Sequence, residues 1–295
     1  MLTKSLTLTT DNVTYDLEDS VTPGLKKTAR FGLLDHLQSF DKRPSSIGEL
    51  AVRINAVSTP YALEDITALA STSNLDAIVV PKVNSASDLT FVADVIQHAA
   101  PSRKPLCLIA LIESARAVMD LREICSAPKA SQYLDGLIFA AEDFALDLSL
   151  TRTPSLNEFL YARSAIATAS RAFKLSSTID LVCTSYKGEK GLERLKEECK
   201  NGKEMGFNGK QCIHPDQVGV VQRMFGPGEK EVEWAVRVVI ADEKASAKGR
   251  GAWTLDDQMI DAPVVGKARA LVEKAERCGF DIESLKKMWH MSEPE

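Results

Sequence analysis

Two acidic side chains that follow apolar segments are the first candidates for chemistry in this chain. Glu113 comes directly after the apolar run 105–112, and Asp143 follows a second run, 134–140. Such continuous apolar runs are typical of parallel strands that are buried on both faces. In a β/α barrel the carboxyl ends of the strands meet at one mouth, so we expect both carboxylates in one pocket. Because no histidine lies near them in sequence, the pair suits a hard cation, Mg²⁺ more than Zn²⁺.

Three further charged segments, 15–20, 53–55 and 80–82, fall at the ends of predicted strands. Each could simply begin a solvated loop, but five such segments opening on one mouth favour a functional site. The alternatives at single positions stay open. Arg53 could pair with Glu18 or Asp19, Lys82 could be an ion-pair partner of the same acidic residues, and Glu142 is a rival to Asp143 as a metal ligand.

The elements that must position these residues follow an alternating pattern. Apolar, β-branched runs predict seven strands, with amphipathic helices between them. The predicted strands are 12–17, 51–54, 77–80, 106–112, 136–140, 179–183 and 211–213. The pattern indicates an α/β fold of the (β/α)8 TIM-barrel type, which needs eight strands. Since the first recognisable strand begins almost at the N-terminus, we expect the first βα unit to be missing.

Beyond Pro215 the chain is predicted to be helical, with a glycine-bearing turn at 248–253 and a last helix at 262–277. We therefore predict two parts. Residues 1–225 form the N-terminally short barrel. Residues 226–295 form a C-terminal helical extension.

Composition narrows the class of protein. The 295 residues carry 44% hydrophobic side chains and a formal net charge of −5, which gives no reason to expect nucleic acid as a partner. No stretch approaches about 18 uninterrupted apolar residues, so no membrane partner is expected. The six cysteines show no CxxC pairing, and a reducing compartment is the natural inference. The N-terminus has no apolar core for a secretory signal, so we expect this chain to be cytoplasmic, and mitochondrial if a longer N-terminal form exists.

The motifs at the strand ends resemble those of one known family. They are YDLEDSV at 15–21, RIN at 53–55, PK at 81–82, the segment at Glu113, AEDF at 141–144, GKQCIHP at 209–215 and QMIDAP at 258–263. They occur in this order in the citrate lyase β-subunit-like proteins of the HpcH/HpaI aldolase and malyl-CoA lyase superfamily. The match runs from about residue 11 to about residue 270 and is closer to the mitochondrial citramalyl-CoA lyase type than to the bacterial citrate lyase subunit.

This resemblance implies a homotrimer in which the C-terminal extension packs on a neighbouring subunit. It also implies Mg²⁺ held by Glu113 and Asp143, with Arg53 binding the substrate's oxygens. Asp261 matches an aspartate that acts as acid/base, although on sequence alone it could cap the helix beginning near Ala262. The remaining substrate-binding positions implied by the resemblance contact coenzyme A or line the same site: Lys26, Arg30, Gln211, Cys212 and His214.

The expected activity is that of a Mg²⁺-dependent carbon–carbon lyase acting on a 3-hydroxy-acyl-CoA such as citramalyl-CoA or malyl-CoA. One alternative is a biosynthetic enzyme that acts on an alkyl-citrate-like acid or hydrolyses a malyl thioester. Another is an inactive, truncated scaffold subunit, because the family normally begins with a βα unit that this sequence lacks. Aldolase activity on a free acid without coenzyme A is a third alternative.

Overall fold

The computed structural model describes residues 2–102, 106–185 and 187–295, so Pro105 of the first apolar run lies outside it. The chain divides into two compact units, residues 1–222 and 223–295. No helix among the described residues is long and apolar enough to cross a membrane. All six cysteines are free thiols.

The first unit is built on a seven-stranded parallel sheet whose spatial order is the order of the strands in the chain. Its strands are β1 (Thr10–Asp16), β2 (Ile47–Arg53), β3 (Ala77–Val80), β4 (Cys107–Ile112), β5 (Leu134–Phe139), β6 (Ser177–Asp180) and β7 (Gly209–Lys210). This sequential parallel order is that of a β/α barrel, which confirms the predicted α/β class and a TIM-barrel-like sheet. β1 and β7 are the two end strands, and the missing first unit stays a prediction.

Helices connect these strands. They are α1 (Leu2–Ser5), α2 (Lys26–Gln38), α3 (Tyr61–Leu69), α4 (Ala86–Ala99), α5 (Ala115–Met119), α6 (Leu121–Cys125), α7 (Ala141–Leu148), α8 (Leu160–Ala172), α9 (Gly188–Glu204) and α10 (Pro215–Phe225), the last of which contains the boundary between the units. α9 illustrates why these segments are helical: its buried residues include Gly191, Leu195, Glu198 and Gly202, spaced three or four apart on one face.

The side chains on one face of the sheet form an aliphatic core. Ala51, Val79, Ile109, Leu111 and Ile138 from β2 to β5 are all less than 8% exposed and pack together. β3 and the last five residues of β4 are buried along their whole length. This continuous burial is the reason that the two strands have no polar alternation in sequence.

The second unit contains three helices and a hairpin: α11 (Glu229–Ala247), β8 (Trp253–Leu255), β9 (Gln258–Ile260), α12 (Ala262–Arg277) and α13 (Ile282–Met288). Its core packs Trp253, Leu255 and Ile260 of the hairpin against α11 and α12. The prediction that this part packs on a neighbouring subunit stays a prediction.

Several local predictions were wrong. The seventh strand lies at Gly209–Lys210, not at 211–213, because the apolar residues there belong to the loop before α10. Between β4 and β5 the chain forms two short helices, α5 and α6, separated at Asp120, where the alternating pattern predicts a helix. The hairpin of the second unit and helix α13 were not predicted.

Candidate active site

Glu113 directly follows β4 and is the most buried of the predicted site carboxylates, with only 5% of its surface exposed. Burial raises its pKa to about 7; the backbone N–H of Lys82 acts in the opposite direction, and the charge of Asp143 adds to the rise. Among the described residues, its Oε1 atom is buried without a hydrogen-bond partner. A buried oxygen of this kind is costly unless something else binds it.

Asp143 lies in the first turn of α7, immediately beyond β5, and is half-buried. It lines the same cleft of about 530 Å³ as Glu113. An acidic residue in the first turn is favoured by the helix dipole, which explains why this position suits a carboxylate. The structure therefore brings the two predicted metal ligands to one cleft.

Glu142, the sequence-level rival of Asp143, is directed elsewhere. Its carboxylate forms an ion pair with Arg152, and Glu142 is not among the residues that line the cleft. Adjacent residues on an α-helix project about 100° apart, so only one of the two can face the cleft.

Arg53 lies at the end of β2, where the strand register places it beside Asp16 of β1. Its Nε and Nη2 atoms donate to the two oxygens of Asp16 at 2.7 and 2.6 Å. This bidentate pair lowers the pKa of Asp16 to about 2, against the effect of burial, and raises the pKa of Arg53. Nη1 of Arg53 also lies 3.0 Å from Glu18 and 3.4 Å from Asp19.

Glu18 links this arginine to Lys82. Glu18 is 5% exposed, and its Oε1 atom accepts a 2.6 Å hydrogen bond from Nζ of Lys82, at the end of β3. Lys82 also lies 3.7 Å from Asp19 and lines the cleft with Glu113 and Asp143. The sequence alternatives that Arg53 and Lys82 pair with the acidic residues after β1 are both confirmed.

The two basic residues predicted to contact coenzyme A are buried and engaged within the protein. Nζ of Lys26 donates to the backbone carbonyls of Leu17 and Glu18 at 2.9 and 2.7 Å. Arg30 donates to Asp65 at 2.7 Å and to Glu64 at 2.6 Å. Their role in binding coenzyme A stays a prediction.

Gln211, Cys212 and His214 lie in the loop between β7 and α10. The backbone N–H of Gln211 donates to the carbonyl of Asp180 at 3.1 Å, and Cys212 is exposed. Nδ1 of His214 lies 3.4 Å from the carboxylate of Asp216. Their predicted contact with substrate stays untested.

Asp261 belongs to the second unit, where it is the N-cap of α12. Its Oδ1 atom accepts from the backbone N–H of Val264 at 3.2 Å. The capping role that the sequence allowed is thus present, and the acid/base role stays a prediction.

Sequence reasoning missed several polar residues that complete the cleft. They are Asn84, Ser85, Asp88, Ser114, Arg116 and Asp147. Ser114 caps α5, and Asp88 accepts from the backbone N–H groups of Asn84 and Ser85. Both side chains therefore stabilise the local backbone beside the cleft. In the sequence, each of these residues lies within a few positions of Lys82, Glu113 or Asp143, and this proximity is the signal that could have identified them.

The sequence matches the family described as HpcH/HpaI aldolase/citrate lyase over residues 1–215. The chain belongs to this family. It is 33% identical over 277 residues to the mitochondrial citramalyl-CoA lyase of Homo sapiens, covering 91% of this chain and 79% of that protein. It is 35% identical over 269 residues to the citrate lyase subunit beta of Leuconostoc mesenteroides subsp. cremoris, covering 90% and 85%.

Solved structures agree with this membership. CitE from Mycobacterium tuberculosis in complex with magnesium, acetoacetate and coenzyme A has a TM-score of 0.70 and 30% identity, covering 90% of this chain and 89% of that one. The citrate lyase beta subunit of the same organism, complexed with oxaloacetate and magnesium, has a TM-score of 0.58 and 30% identity, covering 73% and 86%. The family predicted from the motifs is confirmed, as are the lyase class and magnesium as the family's cofactor.

The donor set of the cleft fits magnesium. Glu113 offers a buried oxygen without a hydrogen-bond partner in the described part of the chain, and Asp143 offers a second carboxylate that lines the same cleft. Among the described residues, no group of three or more His, Cys, Asp or Glu side chains is arranged to hold a metal. Mg²⁺ is commonly bound through one or two carboxylates, with water and substrate completing its coordination.

Proposed function

We propose that this protein is a Mg²⁺-dependent carbon–carbon lyase that cleaves a 3-hydroxy-acyl-CoA such as citramalyl-CoA or malyl-CoA. The observation that carries the proposal is the buried, unpartnered Oε1 of Glu113 in the cleft that Asp143 also lines. The human and Leuconostoc relatives, a citramalyl-CoA lyase and a citrate lyase subunit, support the reaction class.

In this reaction the substrate's hydroxyl loses its proton, and its oxygen forms a carbonyl as the bond between the carbinol carbon and the carbon alpha to the thioester breaks. The electron pair of that bond passes to the α-carbon as an enolate of the thioester. The α-carbon then takes up a proton to give the acyl-CoA product. Magnesium, held by Glu113 and Asp143, would supply Lewis-acid polarisation of the substrate's oxygens.

Arg53 is assigned to the substrate-binding end of the site. Its side chain is 21% exposed, and its guanidinium already holds Asp16 through two hydrogen bonds. These contacts fix the plane of its donors, and a fixed donor is a better stabiliser of developing negative charge than a mobile one. Its proposed role is to bind an oxygen of the substrate from that fixed position.

Asp261 is proposed as the acid/base group. Because Asn also caps helices well, an Asp261→Asn variant should keep α12 while removing the ionisable group. Asp281 is a matched control, since its Oδ1 caps α13 by accepting from Ser284 N–H at 2.9 Å. We expect Asp261→Asn to lower kcat by about 100-fold or more, and Asp281→Asn to leave kcat within about twofold. Equal losses in the two variants would remove Asp261 from the chemistry.

The decisive test is mass-spectrometric product analysis of the purified protein with citramalyl-CoA. Acetyl-CoA and pyruvate should appear with Mg²⁺, and their formation should stop in EDTA. Asp143→Asn should abolish turnover, whereas Glu142→Gln, which changes the neighbouring carboxylate outside the cleft lining, should retain it. Absence of products with Mg²⁺ would reject the citramalyl-CoA assignment, and release of free coenzyme A would favour thioester hydrolysis instead.

We also propose the finer architecture that the family implies: a (β/α)8 barrel, a C-terminal extension formed by 226–295, and assembly as a homotrimer. Light scattering coupled to size-exclusion chromatography would measure the mass. Three times the 32.2 kDa of one chain is the expected result. A monomer with full activity would argue against a site that needs a second subunit.

A further inference from the structure

Lys82 has three properties that the lyase assignment has not used. It lines the cleft that contains Glu113 and Asp143, whereas Arg53 is not among the lining residues. Its ammonium is anchored by one 2.6 Å hydrogen bond to the buried carboxylate of Glu18. Its side chain is nonetheless 42% exposed, so a ligand can reach it.

The backbone at Lys82 is also unusual. Its φ of 52° lies in the left-handed region, which residues other than glycine seldom adopt. The backbone N–H of Lys82 lowers the pKa of Glu113 against the effect of burial, while the side chain of Lys82 reaches Glu18. Such outliers cluster at functional sites, where the surrounding structure holds them in place. One residue thus connects the candidate metal ligand with the acidic residues that follow β1.

The two cations at this mouth differ in the donors that they have available. Arg53 already directs its Nε and Nη2 atoms to Asp16 and its Nη1 towards Glu18 and Asp19. Within the part of the chain that the structure describes, the ammonium of Lys82 makes one hydrogen bond and one longer ion pair, at 3.7 Å. A lysine ammonium has three donors, so Lys82 retains capacity for an anionic oxygen.

Arg116 is the other cation in the described lining of the cleft. Its side chain is 72% exposed, and it pairs at 3.4 Å with Asp120, one turn further along. A solvated pair of this kind is weakly held. Lys82, anchored on a buried carboxylate, is the better-positioned donor.

We propose that Lys82 is a substrate-binding residue whose ammonium holds the carboxylate of the 2-hydroxy-acid end of the substrate, and of the 2-oxo acid formed from it. This inference deepens the proposed lyase function and rests on it. Holding that carboxylate beside Glu113 and Asp143 would place the reacting hydroxyl at the metal end of the cleft. The charge on Lys82 would also make the site selective for anionic over neutral carbonyl compounds.

The test is direct binding of oxalate, a non-reacting analogue of the 2-oxo acid, measured by isothermal titration calorimetry at saturating Mg²⁺. Lys82→Met should raise the Kd for oxalate by about 10- to 100-fold, the range expected for losing a charged hydrogen bond. Lys82→Arg, which keeps the charge, should restore part of that affinity. The Kd for Mg²⁺ alone should change by less than about threefold, because the substitution keeps the backbone N–H of Lys82 that acts on Glu113 and leaves both carboxylates in place.

Lys129 offers a closely matched control. It also has a left-handed backbone, with φ of 61°, and it also forms one ion pair, at 2.9 Å with Asp94. It does not line the cleft. Lys129→Met should therefore bind oxalate within about twofold of wild type. If Lys82→Met does the same, or if both variants weaken oxalate equally, the proposal is wrong. An equal loss of Mg²⁺ affinity would also overturn it, since Lys82 would then act on the metal site.

A second variant distinguishes a loss of folding from a loss of oxalate binding. Should Lys82→Met unfold because Glu18 loses a partner, the double variant Lys82→Met/Glu18→Gln removes that uncompensated charge and takes its place in the titration. Loss of the fold in both variants would make Lys82 a structural residue and reject the proposal. Because oxalate binding needs no turnover, a wild-type protein that binds oxalate but cleaves no acyl-CoA would reject the lyase assignment alone.

Discussion

Asp16 and Glu113 stand at the ends of two strands of the same sheet, yet their surroundings are opposite. Asp16 receives two short hydrogen bonds from Arg53, which lower its pKa to about 2. Glu113 is buried, its Oε1 atom has no hydrogen-bond partner within residues 2–102, 106–185 and 187–295, and burial raises its pKa to about 7. The first carboxylate is paired within the fold, whereas one oxygen of the second has no hydrogen-bond partner among the residues that the structure describes.

The difference is between a carboxylate that positions another side chain, as Asp16 does with Arg53, and a carboxylate that is available to a ligand. A paired carboxylate stabilises the native state and fixes the arginine that it holds. An unpaired, buried carboxylate costs stability, and it is retained where a cation or substrate compensates for it. The acidic residues at the end of β1 and directly after it therefore hold Arg53 and Lys82, and the role of Glu113 and Asp143 as metal ligands stays a proposal.

The largest expected effect is on activity. Glu113→Gln keeps the size of the side chain but removes the charge that would bind Mg²⁺. We expect kcat/KM to fall by about 1000-fold or more, which is about 4 kcal/mol in transition-state stabilisation. Glu49→Gln is the control, since burial also raises the pKa of Glu49 but it is not among the residues lining the cleft. If Glu49→Gln lowers kcat/KM as much as Glu113→Gln does, the position of Glu113 in the cleft does not explain the loss of activity.

The second prediction concerns stability without metal. A carboxyl whose pKa is raised from 4.5 to about 7 in the folded state destabilises the fold when ionised. This decrease in the free energy of unfolding is absent below pH 4.5 and fully present above pH 7. In EDTA at pH 8, Glu113→Gln should be more stable than wild type by about 3 kcal/mol, with no difference at pH 4. Urea unfolding at the two pH values checks this, and a variant less stable at pH 8 would show that the ionised side chain has a partner.

The smallest effect is the opposite pH dependence at Asp16. Its pKa is lowered from 3.8 to about 2. The ionised carboxylate therefore contributes to the free energy of unfolding above pH 3.8, and this contribution is lost as the pH falls towards 2. Asp16→Asn should therefore be less stable than wild type by about 2 kcal/mol at pH 6. The gap should narrow in urea titrations at lower pH. A gap that stays constant from pH 6 to pH 3 would mean that the ionisation of Asp16 contributes nothing.

Much of the fold could be predicted from local patterns. The apolar runs located six of the seven strands, because parallel strands buried on both faces need uninterrupted apolar sequence. The predicted position of the seventh strand was wrong because β7 is only two residues long and contains a lysine. The hairpin β8–β9 was missed because Asp256 and Asp257 both adopt positive φ in its turn. Such turns usually carry glycine at one of these positions, and here that signal is absent.

The sequence by itself determined which residues stand at the strand ends and, through the motifs, the family. Only the tertiary structure decided which of them are paired. Asp16 meets Arg53, 37 residues later in the chain, because the register of β1 on β2 sets them side by side. Glu142 and Asp143 are adjacent in sequence, and the helix directs them to different environments. Apolar burial is encoded by local patterns, but the pairing of charges depends on distances that exist only once the strands have assembled.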